Sequence, residues 1–204
     1  MKKRTVALLL ALTLVLGVVA GGTIAWLTAQ TTPVVNTFTT SDIKVKLEET
    51  GTTNNAKSYQ MVPGYTLSKD PKVTVEAGSE KCYVFVKVTP SAAKYTVGQK
   101  AYTISDFLTY SIKTSGDGAW TALDGVDGVY YMIVDKSERN QTFEILDGNK
   151  VTVPQTVTKE MMNAVGENYP TLTFKAAAVQ YNNSNDGHFE PAAAYDQVKT
   201  DLNA

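Results

Sequence analysis

Residues 82–88 read CYVFVKV, and this stretch limits the possible folds more than any other. Successive side chains of a β-strand point to opposite faces of its sheet. One face would carry a cysteine and three valines: Cys82, Val84, Val86 and Val88. Tyr83 and Phe85 would occupy the other face. A strand that is apolar on both faces has to be covered on both, so we expect a buried strand with further layers on each side.

Several other stretches alternate in the same way. Residues 43–48 place Ile43, Val45 and Leu47 on one face and charged side chains on the other, which is typical of a half-buried strand. Residues 169–181 predict the last long strand, and four side chains form its core face: Leu172, Phe174, Ala176 and Ala178. Shorter strands are predicted at 73–75, 108–113 and 129–134.

Turn residues separate these strands. Pro63-Gly64 and the sequence Ala-Gly-Ser at 77–79 suit turns, because proline presets its own φ and glycine accepts positive φ. Asp147-Gly148-Asn149 lies between the strand-like residues 142–146 and 150–153. A short connection that contains Asp-Gly predicts a hairpin here. Residues 91–102 are predicted to be a connection between strands.

Short helices are predicted at three places. Residues 105–108 suit a helical turn, and residues 158–165 begin with a capping-type Thr158 and end before Gly166. Residues 192–202 predict a C-terminal helix, and one of its faces carries Ala194, Tyr195, Val198 and Leu202.

The number and spacing of these elements predict the fold class. About eight or nine short strands with turns between them favour an all-β, two-sheet sandwich with a few short helices. We expect this β-sandwich domain to span residues 42–204.

Residues 1–25 have the three parts of a secretory signal peptide. Residues 2–4 are basic, residues 6–20 are mostly apolar, and the next five are mostly small. This pattern predicts cleavage between Ala25 and Trp26. The alternative is a membrane anchor, but the apolar run is shorter than the ~20 residues that a spanning helix needs, and two glycines follow it.

Residues 26–41 form an extended, threonine-rich arm between the predicted signal peptide and the domain. Pro33 has no amide hydrogen to donate, so this arm is not a central strand. Its apolar side chains could nevertheless fill pockets elsewhere, and they are Trp26, Leu27, Val34, Val35 and Phe38.

Composition limits the class of protein and its partners. Removing 25 of the 204 residues leaves about 179, which is enough for one domain with a sizeable core. The remaining chain has 16 basic and 20 acidic residues, because three of the 19 basic residues lie in the leader, and its net charge is −4. No basic patch is present, which argues against nucleic acid as a partner. Cys82 is the single cysteine, so no intramolecular disulfide can form.

The sequence carries no strong catalytic pattern. His188, in the loop NSNDGHFE, is the single histidine, whereas a zinc peptidase needs three protein ligands and a general base. The motifs His-Glu-x-x-His and Gly-x-Ser-x-Gly do not occur. We therefore predict no catalytic residue, no metal and no cofactor, and we interpret Cys82 as a small buried apolar residue.

Three blocks of the chain resemble the TasA/camelysin family of secreted proteins from Gram-positive bacteria. The first lies around the predicted cleavage position and first strand, and comprises Gly21, Gly22, Thr23, Ala25, Asn36, Phe38, Ile43, Val45, Leu47 and Glu48. The second comprises Pro63, Gly64, Lys69, Asp70, Pro71, Val73, Gly78, Ser79, Tyr83, Val84 and Val86. The third comprises Pro170, Leu172, Phe174, Lys175, Ala176, Ala178, Val179 and Gln180.

The resemblance implies a jelly roll and an extracellular fibre subunit of the biofilm matrix. It also implies processing by a SipW-type signal peptidase, followed by polymerisation in which the N-terminal strand is donated to the next subunit. The donor would be residues 26–38, and the partners would be further copies of the chain and other matrix proteins. Contact with the membrane would end at cleavage.

Two alternative functions remain open at this stage. Camelysins have been labelled metallopeptidases, which predicts casein cleavage that is lost with a chelator and with His188→Ala. The other alternative is a monomeric surface adhesin, or a minor component that anchors or caps such a fibre.

Overall fold

The computed structural model describes residues 42–52, 57–184 and 187–203. All of them belong to one unit, Ser41–Ala204. The predicted signal peptide, its cleavage position and the whole arm at 26–41 lie outside the described residues.

Antiparallel strands dominate the described part of the chain. The strands are β1 (Val45–Glu48), β2 (Thr66–Ser68), β3 (Lys72–Val75), β4 (Cys82–Pro90), β5 (Tyr95–Val97), β6 (Lys100–Tyr102), β7 (Thr121–Ala122), β8 (Val129–Val134), β9 (Gln141–Glu144), β10 (Lys150–Thr152) and β11 (Leu172–Gln180). The helices are α1 (Ile104–Phe107), α2 (Lys159–Val165) and α3 (Pro191–Asn203). The predicted all-β class with a few short helices is confirmed. None of the helices within these described ranges has the length and apolar character needed to cross a membrane.

The strands form four sheets in the described ranges. The larger two have the orders β1-β3-β9 and β11-β4-β8-β7, and the smaller two pair β10 with β2 and β5 with β6. Both β1 and β11 are therefore edge strands. The register places Leu47 of β1 opposite Val73, and Phe174 of β11 opposite Val88.

The main apolar cluster joins the three-stranded and four-stranded sheets. It contains Val73 and Val75 of β3 together with the predicted face of β4, which is Cys82, Val84, Val86 and Val88. The alternate residues of β11 from Leu172 to Ala178 pack against it, as expected. Trp120 is 1% exposed, and its Nε1 donates a hydrogen bond of 2.9 Å to the carbonyl of Glu144.

The opposite face of β4 is covered by α3. Tyr83 and Phe85 form a second cluster with Tyr195 and Leu202 of the helix, and the rings of Phe85 and Tyr195 are 5.7 Å apart. All four side chains that were predicted to share one face of this helix are buried. The expectation that β4 is covered on both faces is therefore confirmed.

The predicted hairpin across Asp147-Gly148-Asn149 is wrong. Strand β9 pairs with β3, whereas β10 pairs with β2, so the two strands belong to different sheets. Ile145 and Leu146 between them are both 0% exposed, which breaks the alternation that a hairpin strand needs. The three turn residues form a 3₁₀ turn instead, with Gly148 at φ 63°.

The predicted strand at 108–113 is reduced to isolated bridges. Thr109 pairs with Thr152, and Ile112 pairs with Leu146. This segment therefore links the β10-β2 pair to the end of β9 without joining a sheet along its length.

Candidate functional site

A groove of about 1040 Å³ opens between elements of several sheets. Leu47 of β1 and Leu172 and Phe174 of β11 are among its lining residues. Leu67 of β2 and Val165 of α2 contribute further apolar surface. The groove therefore lies beside β1 and β11, which are one edge strand from each of the two larger sheets.

The edges beside the groove have no strand partner on their outer side in the described ranges. Strand β1 pairs with β3, and the nine-residue β11 pairs with β4. An edge strand presents unpaired backbone donors and acceptors, which an incoming strand can satisfy.

The rim of the groove exposes large apolar side chains. Val62 is 40% exposed and Tyr169 is 65% exposed, and both line the groove. Tyr65, at 64% exposed, follows Val62 in the turn that Gly64 closes with φ 82°. Apolar patches that are exposed and contiguous with a cavity are typical of interaction sites.

One wall of the groove carries a charged and aromatic cluster. Lys69 Nζ lies 2.8 Å from Glu49 Oε2, and the two side chains are only 14% and 13% exposed. The hydroxyl of Tyr59 donates a hydrogen bond to the other carboxylate oxygen of Glu49. The Lys69 ammonium also lies 5.4 Å from the ring of Tyr59 and 5.2 Å from the ring of Phe174.

Burial and the neighbouring carboxylate keep Tyr59 protonated. Desolvation is the largest cause that raises the pKa of the Tyr59 phenol, and the hydrogen bond to Glu49 adds to it. The phenol therefore remains a donor to Glu49 across the ordinary pH range.

Asp70 fixes the loop that follows β1. The hydroxyl of Thr50 donates to Oδ2 of Asp70 at 2.7 Å, and the Thr50 amide donates to Oδ1 at 3.2 Å. Desolvation acts to raise the pKa of Asp70, but these hydrogen bonds and Lys72 outweigh it and lower the pKa below its ordinary value. Lys69 and Asp70 therefore both hold the residues that follow β1, Lys69 through Glu49 and Asp70 through Thr50.

The structure places His188 at the surface and Cys82 in the core. His188 is exposed and stacks on Tyr181 with ring centroids 4.8 Å apart. Cys82 is 0% exposed, and burial raises the pKa of its thiol to about 11. In the part of the chain that the structure describes, no group of three or more histidine, cysteine, aspartate and glutamate side chains is placed to hold a metal ion.

The predicted donor side chains lie outside the described residues, as does the Ala25–Trp26 bond. They are Trp26, Leu27, Val34, Val35 and Phe38. The groove itself was not predicted, because its lining comes from stretches far apart in the chain. The available signal was the pair of edge strands that any open sheet must have.

Comparisons with known proteins do not indicate a function. No family model, no curated protein and no solved structure matches the chain.

Proposed function

We propose that this protein is a secreted structural subunit of an extracellular fibre in a biofilm matrix. In this proposal the arm of one subunit, residues 26–38, enters the groove of the next. The observation that carries the proposal is the apolar groove beside the outer edges of β1 and β11, with which no other strand of the described residues pairs. Such a site suits an extended segment, because main-chain hydrogen bonds supply affinity and side-chain pockets set the register.

The arm has side chains that match the groove in character. Burying a large aliphatic or aromatic side chain stabilises a complex by roughly 1.5–3 kcal/mol. The arm offers five such groups: Trp26, Leu27, Val34, Val35 and Phe38. Pro33 has no amide hydrogen, so the arm pairs as two short stretches on either side of it.

The donor and the acceptor are different surfaces of the subunit. A contact of this type is head-to-tail, and it builds an open filament unless the rotation closes a ring. The folded domain is proposed to be a jelly roll, as the resemblance to the TasA/camelysin family implies. No catalytic residue and no cofactor are assigned.

Cleavage between Ala25 and Trp26 is the proposed switch for assembly. Before cleavage the arm is held at the membrane by the leader, and after cleavage it can enter a neighbouring groove. A SipW-type signal peptidase is the proposed processing partner, and other matrix proteins are proposed partners of the finished fibre.

The test uses purified protein that begins at Trp26. Electron microscopy over a range of concentration and pH should show filaments, whereas protein lacking residues 26–37 should remain a folded monomer. A matched variant, Val62→Glu, keeps the arm and places a charge on the exposed rim of the groove, and it should also remain monomeric. A Trp26 protein that stays monomeric throughout, or an arm-deleted protein that still polymerises, would contradict the proposal.

A further inference from the structure

Three side chains from separate stretches meet on one wall of the groove, and we name them the clasp: Glu49, Tyr59 and Lys69. Glu49 follows β1, Tyr59 lies in the segment 57–62, and Lys69 follows β2. The carboxylate of Glu49 accepts from the Tyr59 hydroxyl and lies 2.8 Å from the Lys69 ammonium. Each member therefore holds the other two in place.

The segment 57–62 is attached mainly through its side chains. Between described residues, no backbone hydrogen bond joins residues 57–61 to a strand. Tyr59 holds the segment through Glu49, and Lys57 Nζ donates to the carbonyl of Thr50 at 3.0 Å. Lys57 Nζ also lies 5.0 Å from the Tyr59 ring. A segment held in this way can move when a few side-chain contacts break.

The clasp also contacts the edge strand β11. The Lys69 ammonium lies 5.2 Å from the ring of Phe174 on β11. An arm that packs apolar side chains beside Phe174 has to take the place of this ammonium. It also has to pass the segment 57–62, which lines the same groove.

We propose that the intact clasp of the free subunit keeps an arm from packing beside Phe174 and must open before a neighbouring arm can enter fully. The clasp would then set the rate of assembly, because only subunits with an open clasp can accept an arm. This inference rests on the proposed fibre function. It adds a barrier that keeps freshly cleaved subunits apart until their concentration is high.

Tyr59→Phe tests the clasp, because it removes the hydroxyl that joins the segment 57–62 to Glu49 and leaves the ring in place. Polymerisation of protein that begins at Trp26 is followed by light scattering. We expect the lag to shorten about tenfold, because the open state becomes more populated. Tyr131→Phe is the matched control, since Tyr131 packs in the cluster covered by α3 and does not line the groove, and its lag should be unchanged.

A second variant and a second measurement guard against misfolding. Glu49→Gln keeps an oxygen for the Tyr59 hydroxyl but removes the charge that pairs with Lys69, and it should also shorten the lag. In monomeric protein lacking residues 26–37, Tyr59→Phe should make tryptic cleavage after Lys57 faster, because the segment 57–62 detaches more often, and should leave amide hydrogen exchange in β4 unchanged.

The outcomes separate the clasp from the fibre proposal. Filaments from the unaltered protein, with an equal or longer lag in Tyr59→Phe, would overturn the clasp and leave the fibre function standing. A longer lag would mean that the clasp shapes the groove for the arm. If the unaltered protein forms no filaments under any condition, both the fibre function and the clasp are overturned.

Discussion

Lys69, Asp70 and Pro71 are consecutive residues that contact two other parts of the fold, the residues after β1 and the residue after β9. Lys69 pairs with Glu49 after β1, Asp70 accepts two hydrogen bonds from Thr50, and the carbonyl of Pro71 accepts from the amide of Ile145 at 3.1 Å. These three residues belong to the second block that resembles the TasA/camelysin family. Their physical role is to hold the wall of the groove. The contribution of Asp70 to this role can be measured as a change in the free energy of unfolding.

Asp70→Asn should lower the free energy of unfolding at pH 7 by about 1 kcal/mol, because it weakens the two Thr50 hydrogen bonds and the contact with Lys72. The pKa of Asp70 is lowered in the folded state from 3.8. Its stabilising effect is therefore full above the unfolded pKa and is lost as the pH falls through the folded value. Urea unfolding should show a smaller difference between the two proteins at pH 3 than at pH 7. An equal difference at both pH values would contradict this role.

Single residues also show where sequence reasoning succeeds. The alternation in β4 correctly assigned Tyr83 and Phe85 to one face and Val84 and Val86 to the other. It does so because the backbone of a strand points successive side chains to opposite faces of the sheet. The same rule could not reveal the contact between Lys69 and Phe174. These residues are distant in the chain, and their meeting depends on how the sheets pack.

Among the elements, α3 contributes most clearly to the core. Its buried side chains cover one face of the four-stranded sheet, and Leu202 near its end is 1% exposed. The period of about 3.6 residues made this helix predictable. The contribution of its apolar face can be measured directly.

Leu202→Ala should lower the free energy of unfolding by about 2–5 kcal/mol, because it removes a fully buried side chain and leaves a cavity. Gln197→Ala changes an exposed position of the same helix and should have an effect within about 0.5 kcal/mol. Urea unfolding followed by circular dichroism compares the two. A similar small effect for both variants would mean that the helix does not contribute to the core.

The elements that were missed have identifiable causes. Strands β5 and β6 form a hairpin around Gly98, which has φ 60°. Each strand is three residues long, too short for alternation to stand out. The hairpin predicted across residues 147–149 is wrong although its local signal is strong. Ile145 and Leu146 are both buried, and this burial directs β9 and β10 into different sheets. Tertiary packing decides such cases, and local sequence does not record it.

At the scale of the whole molecule, the fold class follows from local patterns but the groove does not. It is built from β1, β2, β10, α2 and β11, so it exists only once the sheets are in place. The proposed fibre adds one more requirement, namely that each subunit has one acceptor groove and one donor arm. A subunit that lacks either of them should stop growth at one end.

This requirement gives the sharpest test of head-to-tail assembly. Protein lacking residues 26–41 keeps the groove, so it can accept an arm but cannot donate one. When a small amount is added to protein that begins at Trp26, the deleted protein should occupy one filament end. Filament length measured by electron microscopy should fall in proportion to the fraction of deleted protein. The same deletion combined with Val62→Glu carries a charge at the groove rim and should leave filament length unchanged. If both additives shorten filaments equally, the groove is not the acceptor, and if neither does, subunits join through surfaces other than the arm and groove.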